Sequence, residues 1–253
     1  MSTCQIHKKY EWMKCGNAAL ESDGDGFCLL HSRNVAKDKQ LFNDIIVKKL
    51  LFRDYDFTGV FFTDVTNFVG FNFESSVDFR KAVFSGPTNF IKAKFNGDAR
   101  FDGSIFLDNT DFNRAEFSGI TNFSGATFKK EIYFVANNFE DKVYFYNAKF
   151  YNEGSLSLCA FYSNLYFSYV DIYGNITFQA DNLPDRNGTR NEFRSDFTFM
   201  NIVPGGKIIF QDLSLATSEF YGTDMRCIEF RNVDWYNSFG RKIVYDEILV
   251  NRK

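Results

Sequence analysis

Residues 84–117 read Phe84-Ser-Gly-Pro-Thr-Asn-Phe90-Ile-Lys-Ala-Lys-Phe95-Asn-Gly-Asp-Ala-Arg-Phe101-Asp-Gly-Ser-Ile-Phe106-Leu-Asp-Asn-Thr-Asp-Phe112-Asn-Arg-Ala-Glu-Phe117, with phenylalanine returning after six, five, six, five, six and five residues. A helix of 3.6 residues per turn would scatter these rings around its circumference, so the spacing rules out a helical reading. Two positions before each ring stands a small or β-branched residue: Thr88, Ala93, Ala99, Ser104, Thr110 and Ala115. Two inward positions separated by one outward residue are the geometry of a short strand. Each unit is therefore one side of a coil, with the ring filling the interior and the small residue leaving room for it.

The same alternation reaches back to Phe57 and forward through Phe123, Phe128, Phe134, Phe139, Phe145 and Phe150 to Leu156, Phe161, Phe167, Ile172 and Phe178. Coils stack best when long sides lie over long sides and short over short. Four sides preserve that match and give 11 + 11 = 22 residues per coil; three would break it. A flattened two-sided coil of 11 residues is the alternative geometry, with less room for two rings per layer.

The ring preceded at two residues by Ala or Thr, as in Ala115-Glu-Phe-Ser-Gly and Ala126-Thr-Phe, resembles the pentapeptide-repeat family over roughly residues 52–235. The resemblance implies an all-β solenoid, a right-handed quadrilateral β-helix, and that handedness comes from the family alone. Two features depart from the family's pattern: its commoner centre is Leu, and alternate steps here carry a sixth residue.

The register lapses between Phe178 and Phe193, where 181–190 is polar, holds Pro184 and Gly188, and reads as a loop leaving the coil. Phe199, Phe210, Leu215, Phe220, Met225, Phe230 and Trp235 then resume, the later ones at five-residue steps. A solenoid must cover its open ends. Residues 37–51 suit an N-terminal helical cap, with Leu41, Ile45 and Leu50 as its apolar face, Phe42 and Ile46 flanking them and Asp38 as the capping residue. Residues 1–36 then form a Cys/His-rich segment and 236–253 a C-terminal cap or tail. Arg241-Lys-Ile-Val-Tyr-Asp-Glu resembles a stretch beyond which some relatives continue into helical or membrane regions. The chain is expected to stop short of these and to cover its end by homodimerising through the C-terminal end.

Phe accounts for 33 of 253 residues, against two His and three Pro. The net charge of −3 gives no electrostatic reason for a nucleic-acid ligand. No run of roughly 20 apolar residues suggests a membrane span, and the polar N-terminus lacks a signal peptide's apolar centre, so a cytoplasmic home is expected.

Cys4, Cys15, Cys28 and His31 are the donors with metal chemistry, and the two-residue gap between Cys28 and His31 lets a tight turn aim both at one ion. One structural zinc is the expected cofactor; the competing reading makes Cys28 and His31 small packing residues and leaves Cys4 disordered. Phe27-Cys-Leu-Leu-His-Ser resembles a Cys-rich motif ahead of such repeats in relatives. His7 could replace a ligand but is expected to face water. With His7 and His31 the only histidines, no nucleophile–base arrangement is available elsewhere, so no catalytic residues are assigned.

The expected function is a non-enzymatic scaffold for an unidentified protein partner. Some pentapeptide-repeat proteins mimic DNA and bind topoisomerases, and residues 52–178 carry 15 acidic and 11 basic side chains, a weak excess for that role. A shortened relative of a membrane-associated member is a further alternative. The 22-residue register places Tyr166 above Tyr144 and Tyr173 above Tyr151, and gathers these with Tyr146 and Tyr169 on two adjoining sides. Such a group suits partner binding; it equally suits sheet stabilisation by stacked neighbours.

Overall fold

A computed structural model describes residues 3–9, 15–17, 26–180, 197–200, 202–215, 218–238 and 241–243. The described strands of the coil stack into four parallel sheets of six, seven, eight and five strands, one for each side of a rectangular solenoid. The first side carries Phe57, Phe79, Phe101, Phe123, Phe145 and Phe167; the second starts at Phe62, the third at Phe68 and the fourth at Phe73. Phe62 pairs with Phe84, Phe84 with Phe106, and Phe106 with Phe128, so the coil is 22 residues. The four-sided reading holds and the two-sided one does not.

Each column of rings stacks at the spacing of its strands. Phe84 and Phe106 lie 4.7 Å apart at 2°, and Phe95 and Phe117 4.6 Å apart at 1°. Strand spacing and ring stacking thus agree within a few tenths of an ångström.

The alternation of five and six has a cause in the corners. Residues 59, 70, 81, 92, 103, 114, 125, 136, 147, 158 and 169, eleven apart, all have φ between 55° and 66°. Each lies two residues after a centre residue, a Phe everywhere but Leu156, that begins a five-residue step. The N–H of Ala82 donates to Phe79 O at 3.0 Å and that of Ala93 to Phe90 O at 2.9 Å. These are type II turns, whose third residue must be left-handed. Outward Asp or Asn just before the ring tightens many of them: Asp56 accepts from Thr58 N, Asn67 from Val69 N, Asp78 from Arg80 N, Asn89 from Ile91 N, Asp111 from Asn113 N and Asn122 from Ser124 N, at 2.8–3.0 Å.

At residue 137 the small-residue slot takes an amide. Asn137 is fully buried on the fourth side, and its amide donates to Phe112 O at 2.5 Å and Ala115 O at 3.3 Å. Cys159 sits one coil above, donating to Phe134 O at 3.2 Å, and burial pushes its thiol up to about 12.

The loop at 181–190 lies outside the described residues, but the strands flanking it fix its size. Leu165 pairs with Phe197, an offset of 32, ten more than one coil. Beyond it Ile208 pairs with Ile228, so the last coil has tightened to 20 residues. Most of the predicted C-terminal tail, 244–253, likewise lies outside the described residues. Tyr236–Ser238 and Arg241–Ile243 form an antiparallel pair.

At the other end a short helix, α1 (Ile6–Lys9), precedes α2 (Lys39–Leu51). Asp38 caps α2 by accepting from Leu41 N at 2.9 Å. The helix turns Phe42 onto Phe62, edge to face at 5.8 Å, and packs Ile45, Ile46 and Leu50 against the core. The sequence placed Leu41 on that apolar face; in the structure it is 50% exposed, because the buried stripe is centred on Phe42. Lys37 joins cap to coil: its buried ammonium donates to Leu29 O, Ser32 O and Phe61 O at 2.9, 3.2 and 2.6 Å and lies 4.2 Å from the Phe42 ring centre.

Candidate functional site

The N-terminal cluster is built by three separate pieces of chain. Cys28 opens a helical turn in which His31 N and Ser32 N both donate to Cys28 O, and this turn aims Sγ and the imidazole inward together. Cys4 is brought alongside by Cys4 N donating to Asn17 O at 2.9 Å and Gln5 N to Gly26 O at 3.0 Å. Gly26 reaches φ 71°, a left-handed conformation that glycine adopts freely. Cys15 closes the group from the side of a cavity of about 270 Å³ lined by Ile6, Cys15, His31, Lys49, Asp56 and Arg80.

The donor atoms of Cys4, Cys15, Cys28 and His31 all lie within 4.8 Å of one another, an arrangement that could hold a metal ion. Cys15 and Cys28 Sγ are 3.7 Å apart, and His31 Nδ1 is 3.4 Å from Cys4 Sγ and 3.2 Å from Cys28 Sγ. A tetrahedral zinc with the usual bond lengths needs sulfurs about 3.8 Å apart and sulfur–nitrogen edges of about 3.6 Å. Those three edges come within about 0.4 Å of that solid, and the remaining ones stay within 4.8 Å. His31 Nε2 lies 3.1 Å from Thr58 O, so donating its ring N–H to the first coil leaves Nδ1 as the lone-pair donor.

The acidities of the thiols follow from their packing. The hydrogen bond to Cys15, reinforced by burial, raises Cys28 to about 11. Burial also raises Cys4, whereas the hydrogen bond from Cys28 lowers Cys15. Backbone N–H groups are aimed at the sulfurs too, Cys28 N lying 3.3 Å from Cys4 Sγ. Three thiols in contact cannot all ionise unless a positive charge compensates them. The side chain of His7 lies outside the described residues.

The six tyrosines lie on the first and second sides and the corner between them. Tyr144 and Tyr166 stack at 4.9 Å and 6°, Tyr151 and Tyr173 at 4.8 Å and 18°, and Tyr146 meets Tyr169 at 5.2 Å and 65°. Tyr169 occupies the left-handed corner position with φ 56°. Tyr146 and Tyr173 are 47% and 53% exposed. Lys129 places its ammonium 3.2 Å from the Tyr151 ring centre, and an ion pair of Lys149 with Asp171 runs beside the column.

Sequence reasoning missed the turn-clamping role of Asp56, Asn67, Asp78, Asn89, Asp111 and Asn122. The signal was present as the repeated Asp-Phe and Asn-Phe dipeptides. It also missed Lys37, which no pattern marks.

A family model described as pentapeptide repeats (9 copies) matches residues 68–115. No curated protein matches the chain.

Proposed function

We propose that this chain, built of pentapeptide repeats on a β-solenoid, is a non-enzymatic scaffold that presents its tyrosine edge to a protein partner and staples its N-terminal segment with zinc. The observation that carries the scaffold reading is a substitution of roles along one column. At the position before the ring, the first side has Asp56, Asp78, Arg100 and Asn122 in the lower coils, and all but Arg100, which pairs with Asp98, accept from the backbone of their corner. Tyr144 and Tyr166 stand at the same position in the upper coils. Those coils carry a half-buried phenol in place of the corner clamp, so turn formation does not explain the tyrosines. Stacking within a sheet recovers only about 0.2–1 kcal/mol per pair.

DNA mimicry is the weaker reading. The outward charges pair across coils, Lys94 with Glu116 and Lys149 with Asp171, and so neutralise the acidic column that mimicry needs.

The test is a photocrosslinking residue placed at Tyr146 or, as a control, at Asn89 on the third side, followed by capture in the native host. A defined protein crosslinked from position 146 alone, and lost in the Tyr144→Ser, Tyr166→Ser double variant while its coil stays folded, is the expected result. Equal capture from both positions, or none, removes the tyrosine edge as the binding surface. For the metal, analysis of protein purified without added zinc should return about one zinc per chain.

A further inference from the structure

We infer that the outer face of α2 docks against α2 of a second copy of this chain, antiparallel, about a two-fold axis. The helix is apolar on two faces. Phe42, Ile45, Ile46 and Leu50 are taken up by the solenoid, whereas Leu41, Val47, Leu51 and the adjoining Phe52 are 50%, 53%, 77% and 74% exposed. A helix capping a solenoid needs one apolar face, and the second has no partner within the described chain.

The identity of the occupant is written in the order of the exposed residues. Leu41, Asp44, Lys48 and Leu51 follow at steps of three, four and three, the seam spacing of a coiled coil, and all four are exposed. Reversed, the seam complements itself. An antiparallel pair centred on residue 46 sets Leu41 against Leu51 and Asp44 against Lys48, since 41 + 51 = 44 + 48 = 92. The two-fold axis repeats each pairing, giving two apolar layers outside two opposite-charge layers. A parallel pair would instead set Asp44 on Asp44 and Lys48 on Lys48, so the charges choose the direction as well as the partner.

Val47 and Phe52 flank the seam and widen the contact. Beside Val47 a cavity of about 260 Å³ of mixed lining, with Phe42, Ile46, Leu50 and Phe62 on its apolar side and Lys39 and Asp64 on its polar side, opens between α2 and the first coil and can take a side chain from the second copy. This surface lies at the opposite end of the solenoid from the C-terminal homodimer expected from sequence and involves neither the metal cluster nor the tyrosine edge.

Sedimentation equilibrium of the full chain from 1 to 200 µM tests the inference. The expected result is a reversible dimer that Leu51→Asp abolishes and that Asp44→Lys or Lys48→Asp alone weakens by about tenfold or more, each reversal acting in two symmetric layers. The double exchange Asp44→Lys with Lys48→Asp restores the wild-type constant, which a purely structural effect on the helix would not do. All four positions are exposed, and circular dichroism confirms that each variant keeps its fold. A wild-type monomer at 200 µM overturns the inference, as does a dimer indifferent to the reversals, which would place the interface at another surface.

Discussion

His31 Nε2 lies 3.1 Å from the carbonyl oxygen of Thr58, so the imidazole of the N-terminal cluster is tied to the first coil of the solenoid. Metal binding and docking of the N-terminal segment are therefore coupled. A metal that binds the folded chain and not the unfolded one raises stability by mass action. Stripping it with a chelator should lower the melting temperature by several degrees, and His31→Ala should abolish both the metal and the shift. Because Cys4 and Cys28 are held protonated in the metal-free chain, zinc binding near pH 7.5 should release about two protons or more, measurable by calorimetry in buffers of different ionisation enthalpy. An unchanged melting temperature on chelation would uncouple the two.

Left-handed corners set a second expectation. Gly125 has φ 66°, and a Cβ added there would meet Gly103 Cα no closer than 3.8 Å, so Gly125→Ala strains the backbone without a clash. It should cost about 1–2 kcal/mol. Leu158 holds φ 56° while exposed, so Leu158→Gly should stabilise the chain by about 0.5–1 kcal/mol, the relieved strain exceeding the added freedom of the unfolded chain. Urea denaturation of the pair, with opposite signs expected, checks the corner geometry.

Lys37→Met keeps the apolar stem over Phe42 but removes the donor that serves Leu29 O, Ser32 O and Phe61 O. Stranding buried acceptors should cost about 2–4 kcal/mol. A loss under about 0.5 kcal/mol in chemical denaturation would mean that those carbonyls find other donors.

Asp224 caps the short 3-10 turn Met225–Cys227 and is gripped by Arg226, with Nε to Oδ1 at 2.9 Å and Nη2 to Oδ2 at 2.6 Å. The guanidinium, helped by the backbone N–H of Arg226, holds the carboxyl down at about 2. Its contribution to stability is therefore complete above the ordinary carboxylate range and is lost as pH falls through about 2. In an NMR titration the wild-type carboxyl should have its midpoint near 2, and Arg226→Ala should move that midpoint up toward the ordinary range. A midpoint unchanged by the substitution would remove Arg226 as the cause.

The coil was legible because its information repeats. A ring every five or six residues fixes the period, and the period fixes which residues share a column, so Tyr166 above Tyr144 follows from the spacing alone. What does not repeat was harder to read. Lys37 binds carbonyls that are 5, 8 and 24 residues away, and no local pattern announces that. Leu41 was placed on the wrong face of α2 because the helix is apolar on two sides, and composition does not say which side meets the coil. Asn137 in the core breaks the small-residue rule and is tolerated only because Phe112 O and Ala115 O accept from its amide. The Cys/His donors could be named from sequence, but their approach depends on Gly26 and Asn17, whose roles emerge only when the chain closes on itself.

The 22-residue pairing, unbroken from Asp56 to Gln179, makes that part of the solenoid a ruler. Thr58, Arg80, Asp102, Ser124 and Tyr146 occupy one column at 22-residue intervals, so Tyr146 stands four rungs above the carbonyl that His31 grips, about 19 Å along the axis at the usual strand spacing. Deleting residues 89–110, one full coil, would shorten that separation by one rung and leave the angular bearing of tyrosines to cluster unchanged. Deleting eleven residues would send the tyrosines to the opposite side. A partner that grasped both features at once would therefore read coil number as length, and whole-coil deletions would detune it step by step.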